Sequence, residues 1–219
     1  MTRSIIALGI LVVGCEKPTP TTRTTAGSDV VAERGRTYRW GFDDAAGALP
    51  ADLVTVLGDW KVDRDGAAPS APNVLRQAGR FKKPDFPRVI VKDLVFSDLR
   101  LAVRCRAEAG SVDQACGLMF RLVDSDNYYI TRSNVLEDNV RLYRIVDGDR
   151  QQFASADVEV TGREWHTLEV VARGTSITVR WNGKPVITAN DDRFARGKIG
   201  VWTKADSITS FDDLEVTAE

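Results

Sequence analysis

Between Asp113 and Tyr143 the chain reads DQACGLMFRLVDSDNYYITRSNVLEDNVRLY, and this run restricts the fold more than any other. Apolar and polar residues alternate with a period of two, which marks strands at about Gly117–Val123, Tyr128–Ser133 and Asn139–Val146. Asp124-Ser125-Asp126-Asn127 and Glu137-Asp138 supply the turns between them. Strand signals recur at Arg88–Lys92, Leu99–Arg106, Thr167–Ala172, Ser176–Trp181, Pro185–Ala189, Lys198–Lys204 and Ser210–Thr217, with a weaker one at Val54–Val62. Asn182-Gly183 is a two-residue hairpin signal, Arg173-Gly174-Thr175 reads as a turn, and Asp63–Pro72 reads as a long Gly/Pro/Ala loop. No helical periodicity and no βαβ alternation interrupts the strands, so the expected fold is an all-β antiparallel sandwich.

The N-terminal residues address the compartment. Arg3 is followed by an apolar run, Ile5 to Val13, that is too short to span a bilayer and sits where the core of a signal peptide belongs. It ends on Val12-Val13-Gly14-Cys15, which resembles the lipobox of bacterial lipoproteins. That resemblance implies that residues 1–15 are a lipoprotein signal peptide with Cys15 as the lipidated mature N-terminus. The other reading is an ordinary secretory peptide with an incidental cysteine, but no A-x-A-like cleavage site follows. Residues 16–36 are rich in Thr, Pro and charge and form the expected flexible tether. Residues 37–219 are enough for one domain with a substantial core. The location implied is the bacterial cell envelope, facing the periplasm or the exterior, with membrane contact through the lipid alone.

Export also permits a disulfide between the remaining cysteines, Cys105 and Cys116. In an antiparallel hairpin with those two opposed, Val103 faces Leu118, Leu101 faces Phe120 and Leu99 faces Leu122, and every pair is apolar. The same register puts Arg100 opposite Arg121, a like-charge pair that a bound acidic sugar or nearby carboxylates would relieve. Two buried free thiols are the alternative.

From Tyr38 to Thr217 the chain resembles the concanavalin A-like, laminin-G-like jelly-roll domains known as 3-keto-disaccharide hydrolase-like. The resemblance is carried by GFDD at Gly41–Asp44, APSAPNVLRQ at Ala68–Gln77 and DNYYITRSNVLEDNVRLY at Asp126–Tyr143. Further on it is carried by EWHTLEV at Glu164–Val170, NGK at Asn182–Lys184 and GVWTKADSITSFDDL at Gly200–Leu214. It implies a jelly roll with a carbohydrate-related function, and a likeness of fold does not by itself assign an activity.

Catalytic signals are thin. Retaining jelly-roll glucanases carry acids at E-x-D-x-x-E spacing. The nearest stretch here, Glu159 to Glu164, has Thr161 in place of the central acid and a turn-forming Gly162. The chain's one histidine, His166, opens a strand and reads as structural. Net charge is −1, with 30 basic and 31 acidic residues scattered along the chain, so no nucleic-acid footprint is expected. Nothing points to an organic cofactor.

A binding face is better supported. With Leu118, Phe120 and Leu122 inward, Arg121 points outward. With Val140 and Leu142 inward, Asn139, Arg141 and Tyr143 point outward, and Val201 inward leaves Trp202 and Lys204 outward. Tyr129 and Thr131 join them, unless Tyr128 and Ile130 take that face instead. Aromatic rings match the apolar faces of sugars, and Arg, Lys and Asn donate directional hydrogen bonds. A solvated sheet face is the bland reading of the same pattern. Separately, Phe-Asp-Asp occurs twice, at Phe42-Asp43-Asp44 and Phe211-Asp212-Asp213. Adjacent first and last strands would bring Asp43, Asp44, Asp212 and Asp213 together as ligands for a structural calcium ion.

The expectation is therefore a lipid-anchored envelope protein whose jelly roll binds an oligo- or polysaccharide on its concave sheet. Two alternatives stand beside it: a glycoside (3-keto-disaccharide-type) hydrolase or lyase, and a structural or adhesion module.

Overall fold

The computed structural model describes residues 29–43 and 46–219. Among these the chain forms strands and connecting turns and no helix. One sheet contains β3 (Leu53–Leu57), β6 (Arg88–Val91), β9 (Ala115–Asp124), β10 (Asn127–Asn134), β11 (Asn139–Val146), β12 (Asp149–Asp157) and β16 (Lys198–Trp202). Its strand order is β12-β11-β10-β9-β16-β6-β3. The second sheet contains β2 (Thr37–Trp40), β4 (Trp60–Arg64), β5 (Asn73–Gln77), β8 (Leu99–Ala109), β13 (His166–Arg173), β14 (Ser176–Trp181), β15 (Lys184–Asn190) and β17 (Ile208–Ala218). It runs β15-β14-β13-β8-β17-β5-β4, with β2 pairing β17 beyond the end of β5. A short parallel pair joins β1 (Val30–Val31) to β7 (Leu94–Val95). All other named pairings are antiparallel, and the architecture is a jelly roll.

The inner faces follow the alternation. Leu99, Leu101, Val103 and Cys105 of β8 meet Leu118 and Phe120 of β9, and Val140, Leu142, Leu168, Val170, Phe211 and Val216 complete the core. Asn182 and Gly183 turn β14 into β15 with positive φ at both residues, as a two-residue hairpin of the primed type needs. The expected single strand Val54–Val62 is instead two strands, β3 and β4, in different sheets. Gly58, at φ 123°, turns the chain between them.

The disulfide joins Cys105 to Cys116, with Cα atoms 6.3 Å apart. The hairpin expected around it does not form. Gly110 to Gln114 carries the chain from one sheet to the other, so β8 and β9 face each other across the core and the disulfide staples the two sheets. Arg100 consequently never meets Arg121. It lies on the outside of the second sheet, in register with Val171 and Thr217, and bonds Glu169 at 2.8 Å.

Candidate functional site

The outer face of the seven-stranded sheet is built in rows. Register sets Arg141 of β11, Arg132 of β10, Gly117 of β9, Trp202 of β16 and Arg88 of β6 side by side. The next row is Tyr143, Ile130, Met119, Gly200 and Ile90. The glycines make room for the large neighbours. A Cβ on Gly117 would lie 2.9 Å from Trp202 Cε3, and one on Gly200 would lie 2.9 Å from Met119 Cε. Over this floor runs the segment 78–87, fixed by backbone bonds from Phe81 N to Ala205 O, Ala205 N to Asp85 O and Thr203 N to Pro87 O. Phe86 from that segment stacks on Trp202 at 5.3 Å between centroids. The Arg150 guanidinium stands over both Phe86, at 5.2 Å, and Tyr143, at 4.7 Å.

A charged cluster adjoins the aromatics. Arg132, almost fully buried, donates to Asn139 Oδ1 at 2.5 Å, Glu137 Oε2 at 2.9 Å and the Tyr143 hydroxyl at 3.2 Å. Arg141 reaches the same Glu137 oxygen at 2.9 Å, and these two side chains are the open edge of the cluster, about a third exposed. Burial pushes the Glu137 carboxyl up, but the charge and hydrogen bond of Arg132, with the charge of Arg141, outweigh it and hold the group below its ordinary value. Glu137 is therefore an ionised acceptor at neutral pH, not a proton donor.

The neighbouring end of the face is organised by two aspartates. Asp206 accepts from Ser111 N (2.7 Å), Ser111 Oγ (2.9 Å), Val112 N (3.0 Å) and Asp113 N (3.0 Å), which fixes the crossover loop. Burial raises the Asp206 carboxyl, and these donors bring it down to about 2. The loop then presents Asp113, fully buried, to Lys204 Nζ at 2.6 Å and Asn134 Nδ2 at 2.9 Å.

Five residues expected on one face, Asn139, Arg141, Tyr143, Trp202 and Lys204, are brought together there. Trp202 differs from expectation in having no exposed surface: it is packed beneath Phe86, so it is a floor and not a platform. Two expected residues lie elsewhere. Tyr129 is in register with Phe120 and shares its inward direction, stacking on it at 5.2 Å and donating to Asp191 Oδ1 at 2.5 Å. Tyr128 and Ile130 take the outer face. Arg121 sits in a bulge with φ 48°, opposite a register shift in β16, and the bulge turns its side chain inward. There it donates to Ser97 O (2.9 Å), Gly174 O (2.8 Å), Phe194 O (3.2 Å) and Asp98 Oδ1 (3.3 Å), tying three loops together. Arg132, Glu137, Asp113 and Phe86 were not anticipated. Alternation would have supplied Arg132 had Tyr128 and Ile130 been placed outward.

The first and last domain strands are adjacent, with Trp40 opposite Leu214, and Asp43 and Asp213 line one cavity beside them, while Asp212 is engaged elsewhere. Asp212 is buried and accepts from Ser70 N (2.8 Å), Ser70 Oγ (2.9 Å) and Asp213 N (2.7 Å). Asp43 is engaged with Asn73, and Asp44 lies outside the described residues. Among the described residues no group of three or more His, Cys, Asp or Glu side chains is placed to hold a metal ion. His166 stacks on Trp181 at 4.7 Å and bonds Thr161, in the second sheet. Cys15 and the tether up to residue 28 also lie outside the described residues.

Fold and face together define a jelly-roll sandwich of the kind found in carbohydrate-binding modules and glycosidases. The chain belongs to the 3-keto-alpha-glucoside-1,2-lyase-like domain family, whose model matches residues 55–217. Among solved structures it is similar to the carbohydrate-binding module CBM66 from Bacillus subtilis, with a TM-score of 0.64 and 19% identity over 75% of this chain and 94% of that one. It is similar also to the Bacillus licheniformis beta-glucanase (TM-score 0.62, 10% identity, 85% of this chain and 100% of that one). A protein of unknown function with a galectin-like fold, from Bacillus subtilis, follows (TM-score 0.60, 12% identity, 84% and 97%). At these identities the likeness is one of fold. No curated protein matches the sequence.

Proposed function

We propose that the outer face of the seven-stranded sheet binds carbohydrate, in a protein held at the bacterial envelope by lipid on Cys15. The observation that carries this reading is Glu137, an ionised carboxylate gripped by Arg132 and Arg141 at the solvent edge of an aromatic floor. Fixed planar donors beside a fixed acceptor suit the paired hydroxyls of a sugar ring, and Phe86 and Arg150 offer the flanking surface. The family and the similarity to CBM66 support the same class of ligand. The Cys105–Cys116 bond supports an oxidising compartment outside the cytoplasm. The test is a glycan array with the exported chain carrying Cys15→Ser, scored for both retention and product. Arg141→Ala and Glu137→Gln should each lower retention at least tenfold with little change in Tm. Equal retention by both variants defeats the proposal.

The family description favours a second reading, a lyase or hydrolase acting on a glycoside. Product release that disappears in Glu137→Gln, while retention persists, selects it over simple binding.

A further inference from the structure

The chain as a whole carries a net charge of −1, but the outer face of the seven-stranded sheet is positive. The segment that crosses its aromatic floor reads RFKKPDFPR at residues 80–88, with Arg80, Lys82, Lys83 and Arg88 against the single acid Asp85. The carboxylates below are committed: Glu137 to Arg132 and Arg141, Asp113 to Lys204, and Asp206 to the amides of the crossover loop. Two guanidinium groups on this face, Arg88 and Arg150, have no carboxylate partner among the described residues. Asp126, exposed on the turn between β9 and β10, bonds Ser125 and pairs with neither. Arginine nitrogens without an acceptor occur elsewhere in the molecule as well, but these two side chains converge. Arg88 lies 5.4 Å over the Tyr128 ring and donates to its hydroxyl. Arg150 stands over Phe86 and Tyr143, and its register partner Ile145 is the neighbour of Tyr128 across the ladder between β10 and β11. Burial pushes the Tyr128 phenol up, and the charges of Arg88 and Arg150 both oppose that shift, so the two cations bear on one hydroxyl.

Stacking on the rings orients both guanidinium planes before any ligand arrives, which lowers the cost of ordering them on binding. A neutral hydroxyl gains one ordinary hydrogen bond from such a group. An acidic group gains paired, charge-assisted bonds from the guanidinium fork. The Glu137 cluster would repel an acid, but it lies at a distance: Ile145 is four residues along β11 from Arg141, roughly 13 Å. A ligand that reaches both places is longer than one sugar ring. Resting on the carbohydrate reading of this face, we propose that its ligand is an acidic oligosaccharide, with a carboxylate or sulfate held between Arg88 and Arg150 beside Phe86 and a neutral ring at the Glu137 cluster.

Calorimetry on the full exported chain carrying Cys15→Ser tests this with oligogalacturonate and oligoglucuronate, each against its carboxyl-reduced counterpart, and with a sulfated cello-oligosaccharide against the unsulfated one. The uronate and sulfate arms separate the two sources of charge. At least one acidic probe should bind tenfold or more tightly than its neutral counterpart, and raising salt from about 50 to about 300 mM should weaken it several-fold. Arg150→Gln should cost that probe at least tenfold and leave the neutral counterpart unchanged, whereas Lys184→Gln, which removes an exposed charge from the second sheet, should alter neither. Should Arg150→Gln prove unstable, the salt dependence of the parent decides, and an affinity that does not move with salt overturns the proposal. Binding of neutral glycans alone, or as tightly as acidic ones, overturns it too and leaves the carbohydrate reading standing, as does an Arg150→Gln chain that folds and binds as the parent does. Failure of every probe and every arrayed glycan to bind removes both.

Discussion

Gly117 lies directly beneath the indole of Trp202, its register partner on β16, with no room between them for a methyl group. The two residues act as one packing unit. Gly117→Ala should destabilise the domain by about 1–3 kcal/mol through overpacking, and Trp202→Ala by about 3–5 kcal/mol through the cavity it leaves. Denaturant unfolding measures both. Loss of glycan affinity from Trp202→Ala with unchanged stability would show that the ring is a contact surface after all.

The disulfide closes a short loop, with a sequence separation of 11, and joins the two sheets. Cys105→Ala/Cys116→Ala should lower stability by about 2–3 kcal/mol in the chain-entropy model, with the β circular-dichroism spectrum kept. A variant with unaltered Tm would mean that core packing alone sets the sheet separation.

Asp206 makes an acid-sensitive clamp. Its carboxyl is held at about 2 against an ordinary 3.8, so the folded state favours the ionised form. That stabilisation is complete above about pH 4 and is lost as pH falls from about 4 towards 2, a contribution on the order of 2 kcal/mol. Asp206→Asn should be less stable at neutral pH and flatter across that interval. If both proteins lose stability in parallel between pH 4 and 2, the clamp is not the acid-labile element.

Arg121 is a structural tie and not a ligand contact. Arg121→Ala would strand the carbonyls of Ser97, Gly174 and Phe194, and should cost about 3 kcal/mol or more. Glycan retention by the folded fraction should be unaffected, and a binding assay at a temperature well below the variant's Tm checks it. A retention defect there would return Arg121 to the recognition surface.

The strands of β9, β10 and β11, and the hairpin at Asn182-Gly183, were legible because alternation and turn chemistry are local properties. Membership in a sheet was not. Val103 opposite Leu118 is equally apolar whether the two strands are hydrogen-bonded neighbours or face each other across a core, so the cysteine register gave the right bond and the wrong partners. β5 and β12 were missed for a different reason: Asn73–Gln77 follows a Pro-rich loop, and Asp149–Asp157 is a polar edge strand with little apolar alternation. At the site, the bulge at Arg121 moved one side chain to the other face, which no period-two pattern can register. Phe86 escaped because it arrives from a loop distant in sequence. Asn139, Arg141 and Tyr143 lie on the expected face because each keeps phase with β11, and Lys204 reaches it from the loop two residues past β16.

The way the chain enters the domain also bears on mechanics. A pull transmitted from the N-terminal side meets β1 first, a two-residue strand held to β7 by its short ladder and by the flanking bonds Val30 N to Asp93 O and Ala32 N to Val95 O. Beyond it, Gly35 and Arg36 bond Ala218, and β2 is laced to β17 by its ladder, by Thr37 with Thr217 and by Arg39 with Glu215. Load would peel residues 29–34 before it reached β17, a stretch whose fully extended length is at most roughly 20–22 Å. A domain loaded from that side thus yields at its margin and keeps its two large sheets intact.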